Sequence, residues 1–376
     1  MRALLVAAVL VLAGFVLFLI NGSRCRYYVY KNIQTGEENV NVSYEKFGSG
    51  YIKYSNNGIE YQKSLGRSEW NSPDSFSHPF VRLSKDYILL GDKGSNSLKL
   101  FDRKGEVYSY RLRYPLEQAS VSDDGYVEVI LRGGNGNYIQ VYDKEGQMIA
   151  EMKASIDNTG YPLTAAISPE GSTLVVSYFK LNGMQSENSV VFYDLSKQTS
   201  SDNARKDVTA GYDYDDVMIP TMEYLDKNTL ACFGDGKVIL YNVGKKISVK
   251  KEIKFSRTIQ SVFFYDDIFG LVLDNTGEMN GKRYQIALYN RNGRRTLVRD
   301  IDMNYSKIRM WGNEIYAYND TECLIMSKSG KLEFSGELEG NTIEAVIPLR
   351  GWRTYKVVFR DKTVDMQLRF WKMDFN

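Results

Sequence analysis

The chain has 376 residues, 48 of them Lys or Arg and 46 Asp or Glu, for a formal net charge of +2 with its single histidine neutral. Without Arg2, Arg24 and Arg26, residues 27–376 carry 45 basic against 46 acidic side chains, so no nucleic-acid partner is expected. Three cysteines are too few for a disulfide scaffold. The lone His78, in Ser77-His78-Pro79-Phe80, reads as a structural or surface residue, which removes Ser-His-Asp, Cys-His and multi-histidine metal chemistry.

In chain order, the first element is an unbroken apolar run from Ala3 to Ile20, ended by Asn21-Gly22-Ser23. Eighteen helical residues reach about 27 Å, close to the roughly 30 Å hydrocarbon core of a bilayer. Thirteen of them are Leu, Ile, Val or Phe, worth roughly 4 to 8 kcal/mol towards insertion. The run is longer than the apolar region of a cleavable signal and lacks a small-x-small exit. Residues 1–24 therefore predict an uncleaved signal anchor that crosses the cell membrane once, through residues 3–20. Arg2 against Arg24, Arg26 and Lys31 would by simple count leave the C-terminus inside. A two-residue flank ahead of a folded domain reads instead as an export device, which places residues 27–376 on the extracytoplasmic side.

Residues 25–44, with Tyr27-Tyr28-Val29-Tyr30, form a stalk or a closing strand, and residues 45–376 form the main domain. There the text is short apolar runs broken by turn signals, the all-β pattern. One phrase recurs, an apolar run ending in an aromatic and then Asp or Asn: Leu98 to Asp102, Ile139 to Asp143, Val190 to Asp194, Val238 to Asn242 and Ile286 to Asn290. Degenerate copies run from Ile59 to Lys63, Cys323 to Ser327 and Leu368 to Lys372, and the steps between final positions are 37 to 51 residues. That is the length of a four-stranded propeller blade. Around Asp143 the four strands are Glu117 to Val121, Tyr126 to Leu131, Tyr138 to Tyr142 and Met148 to Lys153, separated by Gly-bearing turns. Eight copies predict an eight-bladed β-propeller, or seven blades if the first and last copies share one. The ring closes by itself or through Tyr27 to Tyr30, because an open sheet edge invites aggregation.

The phrase Ile167-Ser168-Pro169-Glu170-Gly171 resembles the first turn of WD40-type and TolB-type blades, and the aromatic-Asp endings resemble the WD40 dipeptide with Phe or Tyr in place of Trp. Asn56-Asn57-Gly58 through Gly66 to Trp70 is similar to a quinoprotein-type (PQQ-like) blade, with Trp70 in the place of its docking tryptophan. An N-terminal anchor ahead of a degenerate propeller also resembles surface propellers of Gram-positive bacteria. These resemblances imply fold and leave function open.

No catalytic, metal or cofactor residues are predicted. Gly133-Gly134-Asn135-Gly136 joins two strands and offers no helix N-terminus for a phosphate. Cys232 and Cys323 read as core thiols, and Trp311, Trp352 and Trp371 as wedges between blades. The loop Tyr212-Asp213-Tyr214-Asp215-Asp216 is unusual; a solvated loop, a partner contact, a calcium or acid-base site, and a short strand with solvated carboxylates all fit it. Loops joining second to third strands, and those leaving the outer strand, emerge on one face. Here they are the long ones, Arg132 to Asn137, Lys180 to Asn188, Tyr212 to Asp216 and Asp274 to Arg283. Function on a rigid scaffold gathers on such loops, and exposed Tyr and Arg favour binding. Arg132, Tyr212, Tyr214, Asp215 and Arg283 are the expected contacts to a protein or a surface glycan. The expected role is a non-catalytic, membrane-anchored binding scaffold; the alternative is a glycan-acting hydrolase or lyase using carboxylates at the propeller mouth.

Overall fold

In a computed structural model of the chain, the described residues are 6, 9–15, 24–35, 39, 41–63, 66–182, 185–196, 208–215, 217–277 and 281–370. Most of the expected anchor, residues 1–24, therefore lies outside them, as do Asp216 and Trp371. Among the described residues, no helix is long and apolar enough to cross a membrane.

The described strands form eight four-stranded antiparallel sheets, each meandering from its first strand to its fourth. The chain is an all-β, eight-bladed propeller. Blades 1 to 8 span residues 43–73, 79–111, 116–154, 161–215, 221–254, 259–301, 307–337 and 343–369, and Tyr27–Thr35 supplies the fourth strand of blade 8. Seven copies of the repeated phrase fall on third strands, from Gly58–Lys63 in blade 1 to Glu322–Ser327 in blade 7; the last, Leu368 to Lys372, only begins at the end of the third strand of blade 8, Lys362–Arg369, and its Trp371 and Lys372 lie outside the described residues. The first and last copies begin in different blades, and the eight separate sheets decide for eight over seven.

Cα proximity divides the chain into two compact units, residues 41–301 with blades 1 to 6, and residues 1–40 with 302–376, carrying blades 7 and 8. Within the larger unit the third strands explain their own sequence. In Lys237–Asn242, Val238 and Leu240 pack with Phe269 and Leu271 of blade 6, while Ile239 and Tyr241 pack with Val190 and Phe192 of blade 4. A strand covered on both faces has no solvent side, so its alternation is apolar against apolar.

The two closing positions of the phrase have separate jobs. The aromatic packs on an aromatic in the fourth strand of the preceding blade: Phe101 stacks on Trp70 at 5.1 Å, Tyr142 meets Tyr110 at 5.1 Å and Tyr241 meets Tyr212 at 5.1 Å. The final Asp or Asn caps the turn into the fourth strand. Asp102 accepts from the Lys104 and Gly105 amides (2.6 and 3.1 Å), and Asp143 accepts from the Gln147 amide (2.8 Å). Asn290 takes the Asn292 and Arg294 amides (both 3.0 Å). The degenerate copy ends in Ser327, whose hydroxyl accepts from the Lys331 amide at 3.2 Å. Short polar side chains that satisfy backbone donors two to four residues on are what such turns need. At Gly136 the backbone has φ +127°, and a Cβ would strike the Ala154 carbonyl oxygen, so the turn from Arg132 to Asn137 requires glycine there.

In the smaller unit, Tyr27–Thr35 lies antiparallel to Lys362–Arg369, with Tyr27 opposite Arg369 and Tyr30 opposite Met366. Tyr28 and Tyr30 pack on a core that includes Phe334, Tyr355, Phe359 and Met366. The N-terminal strand thus covers the edge that Lys362–Arg369 would otherwise leave unpaired. Cys25, Cys232 and Cys323 are all free and fully buried.

Three expectations are corrected. Trp352 is not a wedge between blades: it sits in the turn between Ile343–Pro348 and Thr354–Phe359 and is 61% exposed. Tyr212 to Asp215 is not a loop but the end of the fourth strand of blade 4, Val208–Asp215. Likewise Lys180 to Asn188 belongs mostly to the long hairpin of Thr173–Asn182 and Gln185–Asp194.

Candidate functional site

The five expected contact residues all lie at the end of their blades where the second strand turns into the third. Arg132 is next to last in Val127–Gly133 and is exposed, with its guanidinium ion-paired to Glu117 of the same blade. Asp215 is exposed and sits opposite Glu187, near the start of the third strand. Arg283 precedes Tyr284–Asn290, exposed, with its guanidinium 5.4 Å over the Tyr284 ring. The preceding loop is tied at its base, where Asp274 accepts from the Thr276 amide and hydroxyl at 2.9 and 2.8 Å. Those bonds hold the Asp274 carboxyl below its ordinary range.

Tyr212 and Tyr214 are half-buried, because alternation along Val208–Asp215 turns both rings towards blade 5. The Tyr212 hydroxyl donates to the Ile247 carbonyl at 3.0 Å, and that of Tyr214 shares a hydrogen bond with Tyr241. Lys237 lies 5.1 Å over the Tyr214 ring. The carboxylates face outward, and Asp213 accepts from Ser189 at 2.6 Å. The stretch is the short strand with solvated carboxylates, whose tyrosines hold two blades together. Of the five, Asp215, Arg132 and Arg283 are exposed.

A second group of polar residues lies on the inner strands of the same unit. The first strands of blades 2 to 5 neighbour one another in sequence order, which makes them the innermost of each sheet. They bring Arg82 of blade 2 and Glu223 of blade 5 into electrostatic range of Asp123 and Glu128 of blade 3. Glu128 is directly across from Ser120 in the sheet, accepts from its hydroxyl, and is only 3% exposed. Burial pushes its carboxyl up to about 8, with the Glu223 charge adding and Ser120 and Arg82 opposing. Glu223 is also raised, by the surrounding protein first and by Asp123 next, although its side chain is open to solvent. The sequence signal for this group is a carboxylate inside the otherwise apolar run Val127-Glu128-Val129-Ile130-Leu131, a pattern that burial without a charge partner makes costly.

Of solved structures, BamB from Moraxella catarrhalis aligns over 93% of this chain and 100% of its own, with TM-score 0.51 and 12% identity. Sqt1 from Saccharomyces cerevisiae aligns over 92% and 98%, with TM-score 0.51 and 8% identity. At such identities the likeness is one of fold, and it fits the quinoprotein-like and WD40-like features of the blades. No curated protein matches the chain in sequence. Over residues 23–368, covering all eight blades, the chain belongs to DUF5711, a family of unknown function.

Proposed function

We propose that the chain is a membrane-anchored, extracytoplasmic propeller that binds a protein or a surface glycan without catalysis. The observation that carries the reading is the state of residues 9–15. They are helical, and Val9, Leu10, Val11, Leu12 and Phe15 are each 57% to 73% exposed. An apolar helical segment bare on consecutive positions needs a non-aqueous surrounding, and the run from Ala3 to Ile20 has the length to find it in a bilayer.

Supporting a binding rather than a catalytic role, Glu128 is sealed beneath Ser120 while its electrostatic neighbour Glu223 is open. Glycan hydrolysis by paired carboxyls requires both to reach the same bond. The exposed charges Arg132, Asp215 and Arg283 lie on blade ends carried by rigid sheets, the arrangement of a recognition surface.

The test is cross-linking in membranes followed by recovery of the tagged full chain. Alanine at Asp215 and Arg283 together should abolish capture of the partner that the unaltered chain recovers. Lys144→Ala, on the opposite turns, should leave capture intact. Equal losses from both would place recognition elsewhere.

A further inference from the structure

The residues that follow the apolar N-terminal run are clamped to blades 7 and 8. Arg24 donates from its guanidinium to the Ser335 carbonyl at 2.6 Å, and the Cys25 amide donates to the Glu333 carbonyl at 2.8 Å. Arg353 donates to the Cys25 sulfur at 3.0 Å and ion-pairs with Glu333. The same guanidinium lies against the paired rings of Trp352 and Phe370, at 4.6 and 4.5 Å from their centres, which are 5.7 Å apart. Trp352 is therefore one guanidinium away from Cys25, yet the residue is 61% exposed.

Only Asn21, Gly22 and Ser23 separate Ile20 from Arg24. Fully extended, the four Cα steps from Ile20 to Arg24 cover at most about 14 Å. The polar layer on each side of a bilayer's hydrocarbon core is roughly 5 to 8 Å deep. A tether that short holds Arg24 at or just above the headgroups, and the clamp fixes the blade ends at the same level.

The chemistry of that end matches the location. Arg24, Arg26 and Arg350 are exposed there, and Tyr27 is 41% exposed. Among the described residues, the carboxylates Glu333 and Glu314 at this end are engaged, Glu333 with Arg353 and Glu314 with the Tyr355 hydroxyl at 2.8 Å. Exposed Trp and Tyr beside uncompensated arginines are the side chains that settle at a headgroup layer.

We propose that the end of blade 8 formed by Arg26, Tyr27, Arg350 and Trp352 docks on the anionic surface of the bilayer that holds the chain's own N-terminal run. This docking would fix the orientation of the propeller on the membrane. The inference rests on the anchor reading above and adds to it a defined contact face.

The experiment uses the full chain in phosphatidylcholine–phosphatidylserine vesicles whose phosphatidylcholine is brominated at shallow acyl carbons, which quenches nearby tryptophan. Intrinsic emission should be quenched in the unaltered chain, and Trp352→Phe, which keeps a ring for Arg353 to stack on, should lose most of that quenching. Arg26→Glu with Arg350→Glu, or vesicles without phosphatidylserine, should weaken it. Quenching equal in Trp352→Phe and the unaltered chain, with both recovered in the vesicles, overturns the docking face and leaves the anchor standing. A chain that does not remain with the vesicles overturns the anchor, and the docking face with it.

Discussion

Replacing Arg353 by alanine should lower the unfolding free energy of the full chain by about 3–5 kcal/mol, the cost of stripping one partner from a buried ion pair. The side chains of Arg353 and Glu333 are 6% and 11% exposed, so Glu333 would be left nearly without water and with the more distant Lys331, at 3.6 Å, in place of the guanidinium. The same guanidinium bonds the Cys25 sulfur and lies against two aromatic rings, so its loss also loosens the entry of the closing strand. Burial raises the Cys25 thiol above its ordinary value, with Arg353 pulling it back, so at neutral pH the sulfur accepts as a thiol. Arg353 has φ 55°, a left-handed conformation that an alanine would inherit and a glycine would not resent. Arg353→Gly should therefore be less damaging than Arg353→Ala by up to about 1 kcal/mol. Denaturant unfolding followed by fluorescence reads both. A loss below about 1 kcal/mol for the alanine variant, the range of an exposed pair, would mean the clamp does not hold the strand.

Stability should fall as pH rises from about 4.5 to about 8, and Glu128→Gln should remove the Glu128 share of that fall, leaving the smaller share of Glu223. The ordinary Glu value is 4.5 and burial lifts Glu128 to about 8. Between these limits the folded chain keeps a proton that the unfolded chain has released, so raising the pH favours unfolding. Stability from this group is complete below the lower limit and is lost as pH passes through the upper one. At 1.36 kcal/mol per pH unit, the window amounts to on the order of 5 kcal/mol. The glutamine still accepts from Ser120 and carries no titrating group, so the variant should exceed the unaltered chain in stability above about pH 8. Parallel stability profiles for the two chains would show that Glu128 titrates as an exposed carboxyl does.

The fold was legible because the repeated phrase encodes three physical demands at once: apolar residues for two covered faces, an aromatic for the neighbouring blade, and Asp or Asn for the following turn. Where those demands relax, as at Lys63 or Ser327, the copy blurs but its strand persists. The stretch from Tyr212 to Asp215 misled because its carboxylates suggested solvent, while its period of two already placed both tyrosines on one buried face. Trp352 misled because an aromatic beside strands usually packs inside; here a turn holds it outward, stacked on Arg353.

The polar group around Glu128 was legible only in part. A carboxylate within an apolar strand marks the position, but its neighbours Arg82 and Glu223 come from other blades, and no local pattern announces pairings that distant. The clamp at Cys25 is further still from sequence reading, since it joins residues more than 300 positions apart.

The central claim, that residues 3–20 tether a propeller outside the cytoplasm, meets its most direct test in labelling of whole cells. All three native cysteines are free and 0% exposed, so the folded chain offers no reactive thiol of its own. Lys104 is exposed in the turn between the third and fourth strands of blade 2, where Lys104→Cys gives a single accessible site. A membrane-impermeant maleimide should label that variant in intact cells, with the labelled chain recovered in the membrane fraction. Labelling that appears only after lysis, or on a chain recovered in the soluble fraction, would contradict the account.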